Sequence, residues 1–554
     1  MAKLESKSIS AATHLVAEFF EVVNKQPDHI AFKADGGRGA SYSYLKAKDL
    51  ILRIAAKLSQ PEYDDQHEIG LISENRPEWG IAYLGILAAG KTVVPIDANL
   101  KEKEIDYIIN HAHIKVIFTS VRFETYLSGL RDELKLFSFN EGSPNYWLND
   151  ATDILPHVNF VNDTAVLIYT SGTTGDPKAV ELTHKNLVSN LRSIKTAFCF
   201  KPDDIFISIL PLHHTFEATC GFLTPLMLGC TIVYARSLKS KEILEDIKAN
   251  GVTLMIGVPL LYEKMYHAIY RKIESAPLGK RVLFKSLYSA SNVGWKMGQR
   301  WGAKLFHSLR EKAGLGTIRL FVSGGAAIPP HIVKFYNYIG FEFYQGYGMT
   351  ETSPVISAQK AGIIKFGSVG KAIDGVEVKI KKPDSNGVGE IIVRGDNVTP
   401  GYRNNPEETS NLIKDGWLHT GDLGRFDGDD LWITGRKKNL IVSAAGKNIY
   451  PEQIEEKLLD SHFIMESVII GRKRKNHEGE EVHAFIVPDL EQFKVDHNIN
   501  PEKPDMELIN KIIKAEVARL NNEMAEYKRI KTFDVQLDEL EKTSTKKIKR
   551  FLYK

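Results

Sequence analysis

Residues 169–178, YTSGTTGDPK, bring together hydroxyl groups, two glycines and a lysine at the end of the apolar run AVLIY. Backbone N–H groups of a glycine-rich turn, hydroxyl side chains and a lysine can together bind phosphate oxygens. The stretch is not a P-loop, because Pro177 lacks a backbone N–H and Ala179 cannot ligate magnesium. A polar hairpin turn is the alternative interpretation. The candidate phosphate contacts are Thr170, Ser171, Gly172, Thr173, Thr174, Gly175 and Lys178.

Other charged residues that could carry chemistry lie further along the chain. YGMTE contains the carboxylate Glu351 and HTGD contains the carboxylate Asp422, and carboxylate oxygens can ligate a hard cation or accept hydrogen bonds. Taken alone, these residues are equally typical of a helix start and a turn, and Arg436 of TGRKK is typical of a surface charge. In PLHH we interpret His213 as a packed core histidine.

These residues require a scaffold, and the sequence alternates between strand and helix patterns. TAVLIYT, DIFISIL and IRLFVSGG are typical of strands, whereas HKNLVSNLRSIKTAF and KSKEILEDIKANG are typical of helices. The alternation predicts an α/β fold with largely parallel sheets. Towards the end, a hairpin around Asp427 to Asp430 and a helix opened by Pro451 are expected. We therefore predict a large amino-terminal domain, 1–436, and a small α+β carboxy-terminal domain, 437–554.

The composition is that of a globular protein and excludes several other classes. The 554 residues are 43% hydrophobic and 25% charged, with a net charge of +3, which gives no reason to expect nucleic acid as a partner. Three cysteines without paired spacing fit a reducing compartment. The amino terminus predicts an amphipathic helix instead of a signal peptide, and the most apolar run is too short to span a bilayer. We expect a soluble, cytoplasmic protein.

The full string YTSGTTGDPKAVELTH resembles the phosphate-binding motif of the adenylate-forming superfamily, which includes acyl-CoA synthetases, peptide-synthetase adenylation domains and luciferases. Other motifs of that superfamily follow in order over residues 169–550: LPLHHTFE, VSGGAAI, YQGYGMTETSP, GEIIVRG, WLHTGDLGRF, TGRKKNLIVSAAGKNIYPEQIE and EKTSTKKIKR. The resemblance implies that a carboxylate attacks the α-phosphate of ATP and pyrophosphate leaves. Such a transition state needs in-line placement and neutralisation of negative charge.

The resemblance also implies a set of nucleotide contacts. The loop residues 170–175 and Lys178 would bind the β- and γ-phosphates, Thr350 the α-phosphate, and Glu351 magnesium. Asp422 and Arg436 would contact the ribose. Tyr347 would stack on adenine, beside glycine turns whose backbone can approach the base closely. The remaining nucleotide-binding positions are Gly324, Gly325, Ala326, Gly346 and Gly348.

For catalysis, the resemblance places His214 near the acyl carboxylate and identifies Lys547 as the catalytic lysine. Glu541 and Lys546 stand where the superfamily has proline and glycine, so the adjacent Lys546 is the alternative. The resemblance also implies a multi-subdomain amino-terminal domain and a mobile carboxy-terminal domain with its pivot at Lys438. Gly446 would line the tunnel for CoA. A disordered basic tail is what the terminus would suggest without the upstream motifs.

Within the superfamily, PLHHTFE, VPLLYEKMY and TSTKKIKR are most similar to the long-chain fatty-acid CoA ligases. Residues 270–313, also similar to that branch, carry ten Lys or Arg against two acidic residues, with aromatic residues between them. A solvated helical pair and a peripheral contact with the inner face of a membrane are both compatible with this segment. The expected function is an AMP-forming ligase for a long-chain fatty acid, ATP and CoA. An enzyme that loads a carrier protein and a catalytically silent nucleotide-binding scaffold are the alternatives.

Overall fold

The computed structural model describes residues 14–34, 40–131, 133–149, 164–170, 177–360, 362, 364–473, 479–543 and 548–554. The predicted amino-terminal helix is present, and it buries Leu15, Val16, Phe19 and Val23 against the rest of the protein. Within the described ranges, no helix is both long enough and apolar enough to cross a membrane.

The first third of the chain alternates helices and short strands. The elements are α1 (Leu15–Lys25), β1 (Ile30–Ala34), β2 (Tyr42–Ser43), α2 (Tyr44–Leu58), β3 (Glu68–Ile72), α3 (Pro77–Ala88), β4 (Thr92–Pro95), α4 (Glu102–His111), β5 (Val116–Thr119), α5 (Val121–Leu130) and β6 (Lys135–Ser138).

The middle of the chain continues the alternation and then becomes helical. It contains β7 (Thr164–Thr170), β8 (Lys178–Thr183), α6 (His184–Ala197), β9 (Ile205–Ser208), a π-helical segment (Glu217–Leu223), α7 (Thr224–Leu228), β10 (Thr231–Tyr234), α8 (Ser240–Asn250), β11 (Leu254–Gly257), α9 (Pro259–Glu274), α10 (Leu278–Lys296), α11 (Gly302–Leu305) and α12 (His307–Lys312).

Further strands precede the predicted domain boundary. They and their helices are β12 (Leu320–Ser323), α13 (Pro330–Tyr338), β13 (Glu342–Gly348), β14 (Val355–Ala358), β15 (Lys371–Ala372), β16 (Val376–Lys381), β17 (Gly389–Gly395), β18 (Gly401–Tyr402), α14 (Pro406–Leu412), β19 (Ile413–Lys414), β20 (Trp417–Asp427) and β21 (Asp430–Arg436).

Two large sheets carry most of these strands, and their inner pairs are parallel, as predicted. One has the order β18-β8-β7-β4-β3-β5-β6, and the other has the order β15-β14-β13-β12-β11-β9-β10-β1-β2. Antiparallel pairs lie at the ends of both sheets, where β8 joins β7 and β14 joins β13. A third sheet, β16-β17-β20-β19 with β21 on β20, is antiparallel. The hairpin predicted around Asp427 to Asp430 joins β20 to β21.

The carboxy-terminal residues form a smaller α+β unit with its own apolar core. Its elements are β22 (Ile441–Val442), β23 (Asn448–Ile449), α15 (Pro451–Leu458), β24 (Ile464–Lys473), β25 (Glu480–Pro488), α16 (Leu490–His497), α17 (Met506–Asn522) and β26 (Thr532–Val535). Pro451 opens α15, as predicted. The core runs from Ile441 to Ile530 and includes Ile454, Ile486 and Ile513.

Candidate active site

A cavity of about 960 Å³ opens at the carboxyl ends of the parallel strands β9, β11, β12 and β13. Ligands of open α/β sheets bind at this edge, because the loops that follow the strands meet there. One end of the cavity is lined by His214, Gly324, Tyr347 and Thr350. The remainder is lined mostly by apolar side chains of α8 and α9, so one continuous space joins polar groups to an apolar chamber.

The glycines at the polar end make close backbone approach possible. A Cβ atom at Gly324 would lie 2.7 Å from the Phe216 ring, and one at Gly348 would lie 1.8 Å from the carbonyl oxygen of Pro354. Gly325 has a φ of +84°, which favours glycine. Gly346 also lines the cavity. Ala326 follows these glycines as an exposed residue.

The two predicted ribose contacts lie directly opposite each other. Asp422 of β20 is the cross-strand partner of Arg436 of β21, and Arg436 Nε lies 2.7 Å from Asp422 Oδ1. The hydroxyl of Tyr347 donates to Asp422 Oδ2 at 2.7 Å. Burial and the Asp422 carboxylate raise the pKa of Tyr347 well above its usual value, so the hydroxyl keeps its proton as a donor. These contacts hold the pair in a defined arrangement.

Glu351 is held by a tyrosine that the sequence analysis did not identify. Its side chain is 9% exposed, and Tyr402 of β18 donates its hydroxyl to Glu351 Oε1 at 2.8 Å. Burial and the Glu351 carboxylate raise the pKa of Tyr402. Because a carboxylate that accepts one hydrogen bond retains lone pairs for a hard cation, Glu351 fits magnesium.

The phosphate-loop candidates lie on the hairpin formed by β7 and β8. Thr170 and Lys178 are cross-strand partners at its end, and the loop between them, residues 171–176, lies outside the described residues. The hairpin alternative and the phosphate loop are therefore compatible. Lys178 Nζ lies 2.5 Å from Glu408 Oε2 and 5.5 Å from the centre of the Tyr402 ring.

Tyr402 and Glu408 were missed because their sequence context is ordinary. Glu408 lies in the first turn of α14, after Pro406, where an acidic residue commonly interacts with the helix dipole. Tyr402 lies on a two-residue strand whose pairing with β8 brings it next to Lys178. The segment GYRNNPEE follows the recognised motif GEIIVRG closely, and that proximity is the signal that could have found them.

The interpretation of His213 as a packed core residue is wrong. Its Nε2 atom lies 3.2 Å from Asp97 Oδ2 and 3.1 Å from His214 Nε2. The side chains of Asp97 and His213 are each 11% exposed, so the cluster is partly shielded from water. His213 is thus part of a polar cluster at the end of the cavity, with His214 lining the cavity itself.

Glu217, the last residue of PLHHTFE, is fully buried beside the same cavity. Ser208 donates its hydroxyl to Glu217 Oε1 at 2.6 Å. Burial raises the pKa of Glu217 to about 8. At neutral pH this side chain is therefore mostly protonated, and it adds little negative charge to the wall of a site that would receive a carboxylate.

The predicted pivot Lys438 lies two residues beyond the end of the β21 pairing. Burial and Arg436 lower the pKa of Lys438, and its carbonyl oxygen accepts a hydrogen bond from Lys554 Nζ at 3.3 Å. Gly446 has a φ of +68°, and its backbone N–H donates a hydrogen bond to the Ser443 carbonyl at 2.8 Å. Among the residues that the structure describes, no heavy atom lies within 4 Å of a Cβ added there, its two chain neighbours left aside.

Lys546 and Lys547 lie outside the described residues, but the residues on either side of them are structured. Lys542 and Ile548 pair as antiparallel neighbours, and the Arg550 guanidinium lies 2.6 Å from Glu455 Oε1. The alternative of a disordered basic tail is therefore wrong for residues 548–554.

Helix α9 lies between the cavity and the carboxy-terminal unit. Met265 and Ala268 line the cavity. Lys264 also lines the cavity, and its Nζ lies 3.2 Å from Glu539 Oε1, while Arg271 Nη1 lies 3.1 Å from Asp489 Oδ2. The same helix therefore contacts both parts of the molecule.

Comparisons with known proteins identify the family. A family model described as AMP-binding enzyme matches residues 19–403. The chain is 32% identical over 442 residues to the peroxisomal long chain acyl-CoA synthetase 6 of Arabidopsis thaliana, a match that covers 73% of this chain and 62% of that relative. It is 28% identical over 546 residues to the chloroplastic long-chain-fatty-acid–[acyl-carrier-protein] ligase AEE15 of the same plant, which covers 83% of this chain and 74% of that relative.

Solved structures show the same fold. The o-succinylbenzoate CoA synthetase of Bacillus subtilis, solved with its acyl-adenylate intermediate, superimposes with a TM-score of 0.75 at 23% identity and covers 97% of both chains. An ATP-bound RpMatB-BxBclM chimera gives a TM-score of 0.78 at 24% identity and covers 98% of both chains. With the family model matching most of the chain, and with the motifs and the cavity in agreement, this protein belongs to the AMP-binding enzymes of the adenylate-forming superfamily.

Proposed function

We propose that the protein is an AMP-forming ligase that joins a long-chain fatty acid to CoA. The observation that carries the proposal is the single cavity of about 960 Å³, which joins the residues predicted to bind the nucleotide to an apolar chamber between α8 and α9. Burying a methylene group contributes about 0.8 kcal/mol, so a chamber of this kind favours long chains over acetate. The acyl-CoA synthetase among the relatives supports the same substrate class.

In the first half-reaction, a carboxylate oxygen of the fatty acid attacks the α-phosphate of ATP, and pyrophosphate leaves. Lys178, the loop 170–175 and Thr350 position and neutralise the phosphates, while Asp422 and Arg436 fix the ribose. Glu351 would hold magnesium, which supplies positive charge to the phosphate oxygens when it is bound. Tyr347 and the glycine turns bind the adenine, and His214 lies at the end of the cavity that receives the carboxylate.

In the second half-reaction, the thiol of CoA attacks the acyl carbon, the bond to the phosphate oxygen breaks, and AMP leaves. We assign the domains as 1–436 and 437–554, with rotation at Lys438. One orientation brings Lys547 to the α-phosphate, and the other brings the Gly446 turn to the path of the CoA thiol. Gly446 is exposed, and no described atom outside its chain neighbours lies within 4 Å of a Cβ added there, so this turn is accessible to a pantetheine chain.

A second proposal concerns the membrane. Helix α10 exposes apolar side chains to solvent: Leu278, Val282, Leu283 and Val293. Lys280, Arg281 and Lys285 lie on the same helix. Exposed apolar groups with basic neighbours favour peripheral binding to an anionic membrane, so we assign residues 270–313 as a contact with the inner face of the membrane for an otherwise cytoplasmic enzyme.

One assay tests the proposed activity. AMP release is measured with palmitate and CoA, with palmitate and an acyl carrier protein, and with ATP alone. We expect AMP and palmitoyl-CoA only in the first mixture. Release only with the carrier protein would favour the reaction named for the AEE15 relative. If neither acceptor stimulates release and no acyl-adenylate forms, the protein is a silent nucleotide-binding scaffold.

A further inference from the structure

Two imidazole rings and a carboxylate converge at the polar end of the cavity. His213 Nε2 lies 3.1 Å from His214 Nε2 and 3.2 Å from Asp97 Oδ2. All three donor atoms lie within 4.8 Å of one another. The residues come from two sheets, because Asp97 follows β4 and the histidines follow β9. The cluster is therefore a product of the tertiary fold.

The separations match those between ligands of one metal ion. Zinc binds imidazole nitrogen and carboxylate oxygen at about 2.0–2.2 Å in a tetrahedral arrangement, which places neighbouring ligand atoms about 3.3 Å apart. The observed 3.1 and 3.2 Å are within a few tenths of this value, and the third pair of ligand atoms lies within 4.8 Å. Two imidazole nitrogens at this distance either share one hydrogen atom in an N–H···N hydrogen bond or both direct their lone pairs at a metal ion.

The carboxylate is already oriented for this role. Asp97 Oδ1 accepts hydrogen bonds from the Asn99 backbone N–H at 2.9 Å and from Asn99 Nδ2 at 3.1 Å. These contacts direct Oδ2 towards His213, as the supporting hydrogen bonds of metal ligands do. The backbone of His214 is fixed as well, since its N–H donates to the Pro211 carbonyl at 3.1 Å and its carbonyl accepts from the Ala218 N–H at 2.8 Å.

We propose that Asp97, His213 and His214 bind a transition-metal ion, with Zn²⁺ as the best match, at a site separate from the magnesium position at Glu351. Imidazole ligands suit zinc, cobalt and nickel, whereas magnesium and calcium prefer oxygen ligands. Because His214 lines the cavity, a water molecule or a carboxylate oxygen can supply the fourth ligand from that side. The assignment of a fatty-acid carboxylate oxygen as the fourth ligand rests on the proposed function. This assignment predicts that the bound metal competes with productive placement of the fatty acid.

Cobalt is the probe for the test, since tetrahedral Co²⁺ with nitrogen ligands has strong visible absorption. The full-length protein is titrated with Co²⁺ in the absence of ATP and Mg²⁺. We expect one equivalent to bind and Zn²⁺ to displace it. Substitution of a ligand should weaken binding by more than the 10- to 100-fold that is typical for loss of a supporting hydrogen bond. The ligand variants are His213→Gln and Asp97→Asn, each checked for folding by circular dichroism.

Two control variants keep the result specific. Glu351→Gln removes the magnesium ligand, and His67→Gln removes an exposed histidine, so both should bind Co²⁺ like the unmodified protein. The inference is overturned if the unmodified protein shows no tetrahedral spectrum, if both ligand variants bind normally, or if Glu351→Gln abolishes the signal. In a separate step, palmitate is added to the Co²⁺-loaded protein, and we expect it to change the Co²⁺ spectrum. An unchanged spectrum would overturn the fourth-ligand assignment, and since no turnover is involved, this outcome is independent of the ligase assay.

Discussion

Ala268 offers a direct test of the acyl chamber, because it is an exposed residue of α9 that lines the cavity. Ala268→Trp should fill part of the chamber without disturbing the packed core. Tryptophan covers about 150–250 Å² of surface, and a methylene group is equivalent to about 30 Å² at 25 cal/mol per Å². If half of the indole surface occupies space that the acyl chain would otherwise fill, about three methylene groups of the acyl chain can no longer be buried in the chamber.

The loss corresponds to about 2.4 kcal/mol, or about 60-fold in kcat/KM, for acids long enough to reach the indole. The assay is thioester formation with saturated acids of increasing length from octanoate to stearate. We expect octanoate to be used almost normally and the decrease to appear only above a certain length. Ala518→Trp, at an exposed alanine of α17, is the matched control and should leave the length profile unchanged.

Two results would refute this reasoning. An unchanged profile in Ala268→Trp would show that the acyl chain does not occupy the chamber next to α9. A uniform decrease for all acids would show that the substitution acts through the contacts of α9 with the carboxy-terminal unit, and measurement of acyl-adenylate formation alone would locate the defect.

Three further predictions concern the catalytic lysine, the membrane and pH. Lys547→Ala should lower adenylate formation by about 10²–10³-fold and still convert supplied acyl-adenylate and CoA to thioester, whereas Gly446→Trp should do the reverse. Binding to anionic vesicles should decrease with rising salt concentration, because exposed charges are screened over about 8–10 Å. Binding should also decrease when Lys280, Arg281 and Lys285 are neutralised together. Burial lowers the pKa of His14 to about 4, so the unfolded chain takes up a proton at higher pH than the folded one. The free energy of unfolding should therefore decrease by about 1.6 kcal/mol between pH 6.5 and 5.

Each of these predictions has a clear contrary outcome. Equal loss of both half-reactions in well-folded Lys547 and Gly446 variants would contradict the division of the chemistry between two domain orientations. Unchanged sedimentation of the triple variant with vesicles would exclude α10 from membrane binding. For pH, His14→Asn retains a side chain that can cap α1, so urea unfolding of this variant should show a smaller decrease at pH 5 than the unmodified protein. An identical decrease would assign the effect to other groups.

The sequence predicted those parts of the site that depend on local pattern. The β7–β8 hairpin follows from apolar runs on both sides of a glycine-rich turn, and the Asp422–Arg436 pair lies on strands joined by a short turn that the sequence also indicates. Tyr402 and Glu408 could not be predicted in the same way, because their contacts with Glu351 and Lys178 arise only when distant strands pair.

The error at His213 has a similar cause. A histidine in an apolar context is usually a core residue, and nothing in PLHH indicates that a carboxylate from a different sheet approaches it. Asp97 lies in PIDANL, where an aspartate after a strand is ordinary. Only the relative placement of the two sheets converts these residues into a cluster, and a single sequence contains no direct record of that placement.

The hairpin that pairs Asp422 with Arg436 has a mechanical consequence. The predicted pivot at Lys438 lies two residues beyond Arg436, so a rotation of the carboxy-terminal unit about this point has almost no lever arm at the ribose and a long one at the far end of that unit. In the proposed rotation, parts of the carboxy-terminal unit that are distant from Lys438 would therefore move far while the sugar stays in place. The nucleotide would stay bound through both half-reactions, because its ribose contacts at Asp422 and Arg436 lie next to the predicted pivot at Lys438.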